Sequence, residues 1–392
     1  MSDKGAFNAG PLPESIWAVG LMTGTVLDGQ IDVALVKTDG QSIAEFGEYA
    51  LRPYQSETVE LLREAVKEAL EWQFQGPPPA IFTEVEKRLT EEQSDAVSWL
   101  VNKAGLSHSD IGAIGFHGQT VLHRAPVEGV LGETCQLGDG ALMAKRLGIS
   151  VVNDFRSADM RHGGQGAPLC GIYHQALLRG LGVSGKTAVL NLGGIGNISY
   201  WDGDELLIAF DTGPANAPIN DLVREYGLGD MDKDGALAAI GNVNEQKLET
   251  LLKHPYFEAP YPKSLDRFDF PWALANEQSP EDGAALLTAL CAAAVGKALD
   301  SLPSRPERLI VCGGGRRNAS LLDAIRTRAD VVVETAEHAG WRGDAIEAEC
   351  FAFLAARRLA GLPISFPTTS GVSRAMVGGV VRLNSKNTDR HT

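Results

Sequence analysis

Residues 188–197 read AVLNLGGIGN. An apolar stretch runs into a glycine pair, Gly193-Gly194, and a second stretch leads away from Asn197 to Trp201. That pattern is a strand, a tight turn and a return strand, because glycine supplies the positive φ that tight turns demand. Residues 18–25, AVGLMTGT, open the first half in the same way. There the strand is Ile16–Met22, the turn is Gly24-Thr25-Val26-Leu27-Asp28-Gly29, and the return strand is Ile31–Thr38. Identity between the two stretches is too low to prove duplication. The shared pattern suits two related α/β lobes, each presenting a glycine hairpin to a common cleft.

Outward from the hairpins, strands alternate with helices, the signature of an α/β fold. Phe46–Leu51 adds a third antiparallel strand to the first half. Thr58–Trp72 has helical spacing with Ser56 as its N-cap, GPPP at 76–79 breaks the chain, and Ile81–Lys103 is a second long helix. Ile111–Phe116 and Ser150–Val152 read as buried strands with the helix Ala141–Leu147 between them. In the second half Leu206–Phe210 returns beside the hairpin. Helical patterns follow at 216–226, 234–240, 244–253 and 281–299, then strand Arg308–Cys312, helix Ala319–Arg328, strand Val331–Glu334 and helix Asp344–Ala360. The N-terminal lobe is expected at 14–155 plus 365–384 and the C-terminal lobe at 156–364, with 1–13 and the tail from Asn384 as frayed ends.

Length and composition agree. A chain of 392 residues exceeds one ordinary core, and 44% hydrophobic with 22% charged residues is a globular balance. No apolar run is expected to reach the roughly 20 residues of a membrane helix, and MSDKGAFNAGPLPES has no apolar signal core. The net charge of −15 repels nucleic acid and anionic membranes and favours a small ligand. Five cysteines without a C-x-x-C argue against a disulfide framework or zinc site and fit a reducing cytoplasm.

Several stretches carry candidate chemistry. Glycine turns let backbone N–H groups approach a phosphate, and in the first one Thr25 adds a hydroxyl while Asp28 offers a hard oxygen for Mg²⁺. The plainer reading of each is a hairpin turn. The third glycine stretch, Gly313-Gly314-Gly315, follows a strand and leads through Arg316-Arg317-Asn318 into a helix, where a nucleotide can lie against bare backbone. It is neither a dinucleotide fingerprint nor a P-loop.

In LLIAFDTGPANAPIND, residues 206–221, Asp211 follows an apolar strand directly, where ligands bind in α/β folds. A free aspartate (pKa ~3.9) is ionised but weakly basic, and partial desolvation makes it a better base. Its plainer reading is an Asx-turn ending the strand. Asp221 lies in a helical pattern and reads as solvent-facing. His117-Gly118-Gln119-Thr120 and Asp154-Phe155-Arg156 also follow strands, and Gly163–Leu169 is a glycine-rich loop that could shape a pocket. His117 can equally be a structural histidine and Arg156 a surface ion-pair partner. Asp230–Gly235 copies the start of a calcium loop but has Gly241 where that loop needs Glu, so it reads as a helix-start turn.

Two hairpins, a triple-glycine loop and a strand-ending aspartate resemble the superfamily of sugar kinases, actin and heat-shock chaperones. GLMTGTVLDG, FHGQTVLHR, VNDFRSADMRHGGQGAPL, NLGGIGNIS, FDTGPAN and CGGGRRN narrow the resemblance, in that order, to the anhydro-N-acetylmuramic acid kinase family over about Val19–Val380. The resemblance implies a two-lobed actin/hexokinase-like (ribonuclease H-like) fold with a central nucleotide cleft. It further implies a cytoplasmic, dimeric peptidoglycan-recycling enzyme using ATP and Mg²⁺. Such an enzyme opens the 1,6-anhydro ring of its amino sugar with water and phosphorylates O6. Gly24, Thr25, Val26, Leu27, Asp28, Gly29, Gln30 and Ile31 match the phosphate loop, with Asp28 toward the metal. Gly193, Gly194, Asn197, Gly313, Gly314, Gly315 and Asn318 complete the expected nucleotide site. Asp211 matches the general base and Glu347 the acid that positions it, while Gln119, Thr120 and Arg156 match the sugar site. Val26 replaces the usual Ser, Gln30 lengthens the hairpin, Ala215 stands for Gly, and Arg316 for a smaller residue. The alternatives are an ordinary sugar kinase, with Asp211 deprotonating a hydroxyl, or a nucleotide-dependent assembly protein.

Overall fold

A computed structural model describes residues 14–23, 29–127, 129–183 and 185–383. The chain forms two compact units, Met1–Leu177 with Glu347–Pro367 and Val372–Thr392, and Leu178–Ile346 with Thr368–Gly371. The two expected frayed ends lie outside the described residues.

The first unit opens with strands β1 (Ile16–Met22), β2 (Gln30–Thr38) and β3 (Ile43–Pro53), then helices α1 (Ser56–Trp72) and α2 (Ile81–Lys103). Strand β4 (Ile111–Phe116) is followed by a separate hairpin, β5 (Gln119–Arg124) with β6 (Glu133–Leu137). Helix α3 (Gly140–Leu147), strand β7 (Val151–Asn153) and helices α4 (Ser157–Arg161) and α5 (Gly171–Gly180) complete this stretch. The second unit contains β8 (Thr187–Leu192), β9 (Ile195–Trp201), β10 (Leu207–Pro214), α6 (Asn216–Glu225), α7 (Ala236–Ile240), α8 (Glu245–Leu251) and α9 (Pro255–Glu258). Helix α10 (Pro280–Asp300), β11 (Arg308–Cys312), α11 (Ala319–Arg328) and β12 (Val332–Thr335) follow. The chain then returns to the first unit through α12 (Ile346–Leu359) and β13 (Val380–Arg382).

The two sheets share one topology. The first runs β3-β2-β1-β4-β7, with β13 added at the edge, and the second runs β10-β9-β8-β11-β12. In both, the first three strands are an antiparallel meander and the next two are parallel to the first strand. This is the ribonuclease H-like arrangement, present twice. Sequence identity between the halves had not been enough to establish that.

Close approach of a helix to the first sheet depends on two glycines. A Cβ on Gly20 would lie 1.7 Å from the Ala348 carbonyl oxygen, and one on Gly115 would lie 1.9 Å from that of Phe351. The backbone of α12 therefore rests directly on β1 and β4, which fixes the first turn of that helix and Glu347 with it.

Three expectations change. Ser56 is the first helical residue of α1 and Gln55 occupies the cap position without a side-chain bond. Glu92 on α2 does the capping, accepting from the Gln55 N–H at 2.9 Å and from Thr58 Oγ1 at 2.5 Å. Strand β3 spans eleven residues, because it pairs with nearly the full length of β2. Helix α10, with 21 residues and a mean hydropathy of 1.4, is long and apolar enough to cross a membrane by length and composition. Its uncharged stretch, Gly283–Gly296, falls short of the roughly 20 residues expected of a membrane helix, and it is a core helix, packed on the second sheet.

Candidate active site

Asp211 lies on β10 opposite Asn197 of β9 and is 8% exposed. The strand does not end before it. Pairing continues to Pro214 through a bulge between Asp211 and Gly213, because β9 still offers Gly196 and Ile195 as partners. A bulge bends a strand and re-aims its side chains. The backbone of 263–265 and Tyr256 brace the residue on three sides. Oδ2 accepts from the Leu265 N–H at 2.9 Å, the Asp211 N–H donates to the Lys263 carbonyl at 3.0 Å, and the Asp211 carbonyl accepts from the Tyr256 hydroxyl at 2.6 Å. Lys263 Nζ in turn donates to the Tyr256 carbonyl at 2.9 Å and sits 4.7 Å over the Tyr256 ring. Burial, and then the Asp211 charge, raises the Tyr256 phenol well above its ordinary value, so it remains a donor. Asp221 is engaged elsewhere, paired with Arg224 and, at 3.1 Å, with Arg267.

The second glycine hairpin is tied to the start of α6. Asn216 Nδ2 donates to the carbonyls of Leu192 at 3.0 Å and Gly193 at 2.9 Å, and the Ala215 N–H donates to Gly194 at 3.0 Å. The triple-glycine loop leans on the same hairpin. A Cβ on Gly313 (φ 75°) would meet Asn191 Oδ1 at 2.4 Å, and one on Gly315 would meet Leu192 Cβ at 2.6 Å. After Gly313 the chain makes a 3₁₀ turn, Gly314–Arg317, and Asn318 caps α11 by accepting from the Leu321 N–H at 2.9 Å. Arg316 is 7% exposed. It donates to Glu337 at 2.8 Å, Asp344 at 2.9 Å and the Gly313 carbonyl at 3.0 Å. Burial opposes its charge, but the Glu337 and Asp344 carboxylates outweigh that and raise it.

In the first unit, polar residues gather at the carboxyl ends of β4 and β7. His117 is 3% exposed, and burial followed by the Arg156 charge lowers it to about 3. It is therefore neutral: Nδ1 donates to the Gly118 carbonyl at 2.7 Å, and Nε2 accepts from Arg156 Nη2 at 3.0 Å. Arg156 Nη1 donates to Gly166 at 2.6 Å, and Asp159 Oδ2 accepts from the Gly166 N–H at 2.7 Å, so both hold the glycine-rich loop. Burial lowers the Arg156 guanidinium, and Glu347 is among the charges that oppose the shift. A cavity of about 200 Å³ is lined by His117, Gln136, Asn153, Asp154 and Ser157 with the Phe116 ring and Cys135. Gln136 Nε2 donates to Thr120 Oγ1 at 3.3 Å. Gln119 is 1% exposed and its Oε1 is buried without a partner.

Residues 16–383 match the family described as anhydro-N-acetylmuramic acid kinase. Proteins of that name from Brucella anthropi, Rhizobium rhizogenes and Mesorhizobium japonicum are 63%, 61% and 60% identical over 366 residues, covering 93% of this chain and 99% of each relative. This chain belongs to the anhydro-N-acetylmuramic acid kinase family.

Of the residues singled out by resemblance to that family, Gly24, Thr25, Val26, Leu27 and Asp28 lie outside the described residues. Gly29 has φ 79°, and Gln30 and Ile31 begin β2, with the Ile31 side chain in the core. Gly193, Gly194, Asn197, Gly313, Gly314, Gly315, Asn318 and Asp211 belong to the second unit, and Gln119, Thr120, Arg156 and Glu347 to the first. Arg156 is an internal tie and not a surface ion-pair partner. Sequence reasoning gave Asn216 no role, although it is the last residue of the FDTGPAN stretch. It also passed over Leu265, for which no signal exists, because its contribution is a backbone N–H. Among the described residues no group of three His, Cys, Asp or Glu side chains could hold a metal ion.

Proposed function

We propose that this kinase opens the 1,6-anhydro ring of anhydro-N-acetylmuramic acid with water and transfers the γ-phosphoryl group of ATP to O6. The products are N-acetylmuramic acid 6-phosphate and ADP, a step of peptidoglycan recycling. Asp211 takes a proton from water as the water oxygen bonds to C1 and the C1–O6 bond breaks. O6 then bonds to the γ-phosphorus as the bridge to the β-phosphate breaks and ADP leaves. A positioned base supplies typically ~10²–10⁴-fold, and holding water, sugar and ATP together supplies more.

The observation that carries this reading is the bracing of Asp211, a buried carboxylate beside a glycine hairpin, in a chain of this family. The hairpin glycines and the loop held by Arg316 are assigned to ATP. Glu347 is assigned to orienting the base, and Gln119, Thr120 and Arg156 to the sugar. Mg²⁺ would arrive with ATP as part of the substrate, with Asp28 as its protein ligand. A homodimer acting in the cytoplasm belongs to the same reading, and the charge of −15 supports a small-molecule substrate over nucleic acid or an anionic membrane.

Mass spectrometry of product made in ¹⁸O-water tests the coupling. One label at the anomeric oxygen and phosphate at O6 are expected. Phosphorylated product without label there would contradict it, and better turnover of plain N-acetylmuramic acid would favour an ordinary sugar kinase.

A further inference from the structure

A buried chain of hydrogen bonds runs through the first unit, and no step of the reaction above uses it. It starts on α2, where Gln93 Nε2 donates to the Tyr54 hydroxyl at 2.5 Å. Tyr54 is bonded in turn to the Thr23 hydroxyl, and Thr23 Oγ1 donates to the Gly118 carbonyl at 3.2 Å. The same carbonyl accepts from His117 Nδ1, and His117 Nε2 accepts from Arg156. Arg156 ends the chain on the Gly166 carbonyl. Gln93, Tyr54, Thr23 and His117 are all buried.

The proton positions along this chain are forced. A carbonyl only accepts, so the single Thr23 proton points at Gly118. The Tyr54 proton therefore goes to Thr23, and the Gln93 amide supplies Tyr54. Neutral His117 has one donor and one acceptor nitrogen, and both are engaged. Such a chain polarises its members, and cutting it leaves a neighbour unpaired away from water. Rotation of the Thr23 side chain breaks both of its bonds together, so the chain is either whole or cut at Thr23.

The two ends of the chain belong to different ligands in the reading above. Thr23 immediately precedes residues 24–28 of the stretch assigned to the phosphates, and Gly29 immediately follows them. The Gly29 carbonyl accepts from the Tyr54 N–H at 2.9 Å, so Tyr54 grips both flanks, one with its backbone and one with its phenol. At the far end, Arg156 is assigned to the sugar and holds the glycine-rich loop at Gly166.

We infer that Thr23 and Tyr54 are positioning residues that couple nucleotide binding to sugar binding through this chain. A ligand that favours the whole chain at one end readies the other end for its own ligand. The inference rests on the ligand assignments above and adds an energetic link between them.

The test uses the full chain, Mg²⁺ and the non-hydrolysable ATP analogue AMPPNP. Calorimetry measures the Kd of the analogue alone, with saturating 1,6-anhydro-N-acetylmuramic acid, and with plain N-acetylmuramic acid. Thr23→Val and Tyr54→Phe each delete one hydroxyl and keep the shape. Thr23→Ser keeps the hydroxyl, and thermal melting checks that each variant folds.

In the native chain the anhydro sugar is expected to tighten analogue binding by about 10-fold or more, and the analogue to tighten sugar binding by the same factor. Thr23→Val and Tyr54→Phe should bring that factor down to about 2 or less, with Thr23→Ser close to native. A merely structural role would lower the melting temperature and leave the factor alone. Three outcomes would overturn the inference. One is a native chain in which neither sugar changes analogue binding. Another is a folded Thr23→Val or Tyr54→Phe variant that keeps the native factor. The third is a Thr23→Ser variant that loses as much as Thr23→Val, which would place the effect in packing and not in the hydroxyl. Coupling seen with plain N-acetylmuramic acid alone, and lost in the variants, would sink the proposed ring opening and leave this chain standing. Labelled product from ¹⁸O-water without any coupling would do the reverse.

Discussion

Leu265 and Asp211 are 54 residues apart in sequence, yet the Leu265 N–H donates to the Asp211 carboxylate at 2.9 Å. A backbone donor on one carboxylate oxygen fixes the plane of that group, which is what the role proposed for Asp211, a base that must meet one particular water, requires. Asp211→Asn is expected to lower sugar-dependent kcat by ~10²–10⁴-fold with ATP affinity retained. Leu265→Pro, which deletes the donor, should cost up to ~10²-fold in kcat through misplacement of the same group. Steady-state kinetics with calorimetry of ATP binding measures both, and full activity in Asp211→Asn would remove it as the base.

Tyr256 bonds the backbone of Asp211, not its carboxylate. Tyr256→Phe should therefore lower stability by about 1 kcal/mol in denaturant titrations and reduce kcat far less than Asp211→Asn. Equal losses of kcat would place the phenol in the chemistry.

Gly115→Ala would drive a methyl into the Phe351 carbonyl of α12. Backbone cannot yield as a side-chain tip can, so a loss of about 1–3 kcal/mol or more is expected in thermal or chemical unfolding. Unaltered stability would mean that α12 is not seated on β4.

Arg316 ties the Gly313 carbonyl to Glu337 and Asp344. Arg316→Ala should raise KM for ATP by about tenfold, roughly 1.4 kcal/mol, while KM for sugar stays constant. Arg316→Lys should rescue little, since an ammonium cannot reproduce the planar fork. A change confined to sugar KM would contradict the assignment of this loop to the nucleotide.

Buried His117 and His174 are lowered from 6.5 to about 3 and about 4, in both cases chiefly by burial. A depressed folded value means that the unfolded chain binds these protons first as pH falls. Their contribution is complete above about pH 6.5 and is lost on the way down to about 3–4. Denaturant titrations should show lower stability at pH 5 than at pH 7.5, by about 2 kcal/mol per histidine. Equal stability at the two pH values would mean that neither imidazole is held neutral.

Much of the fold was legible because its signals are local. The strand-turn-strand pattern at 16–38 and 187–201, the breaker at 76–79 and the glycine after α2 all depend on neighbours in sequence. What misled was also local. The TGP stretch after Asp211 reads as a turn, but β9 supplied enough edge to carry the strand through it. Ser56 reads as a cap, but a carboxylate from α2 was already there. The hairpin β5–β6 went unread because its strands are short and only partly buried.

The sequence alone determined an α/β chain with two glycine hairpins and its family, and it had already set Asp211 at a strand apart from Asp221 on a helix. Tertiary structure supplied their surroundings: Asp221 is held by arginines, while Asp211 is buried and braced by Tyr256, Lys263 and Leu265. It also seated α12 on β1 and β4 and joined Arg156 to His117. Backbone preference and hydrophobic period act over a few residues and can be read along the chain. Hydrogen bonds and burial act over a few ångströms in space, between residues that no local pattern links.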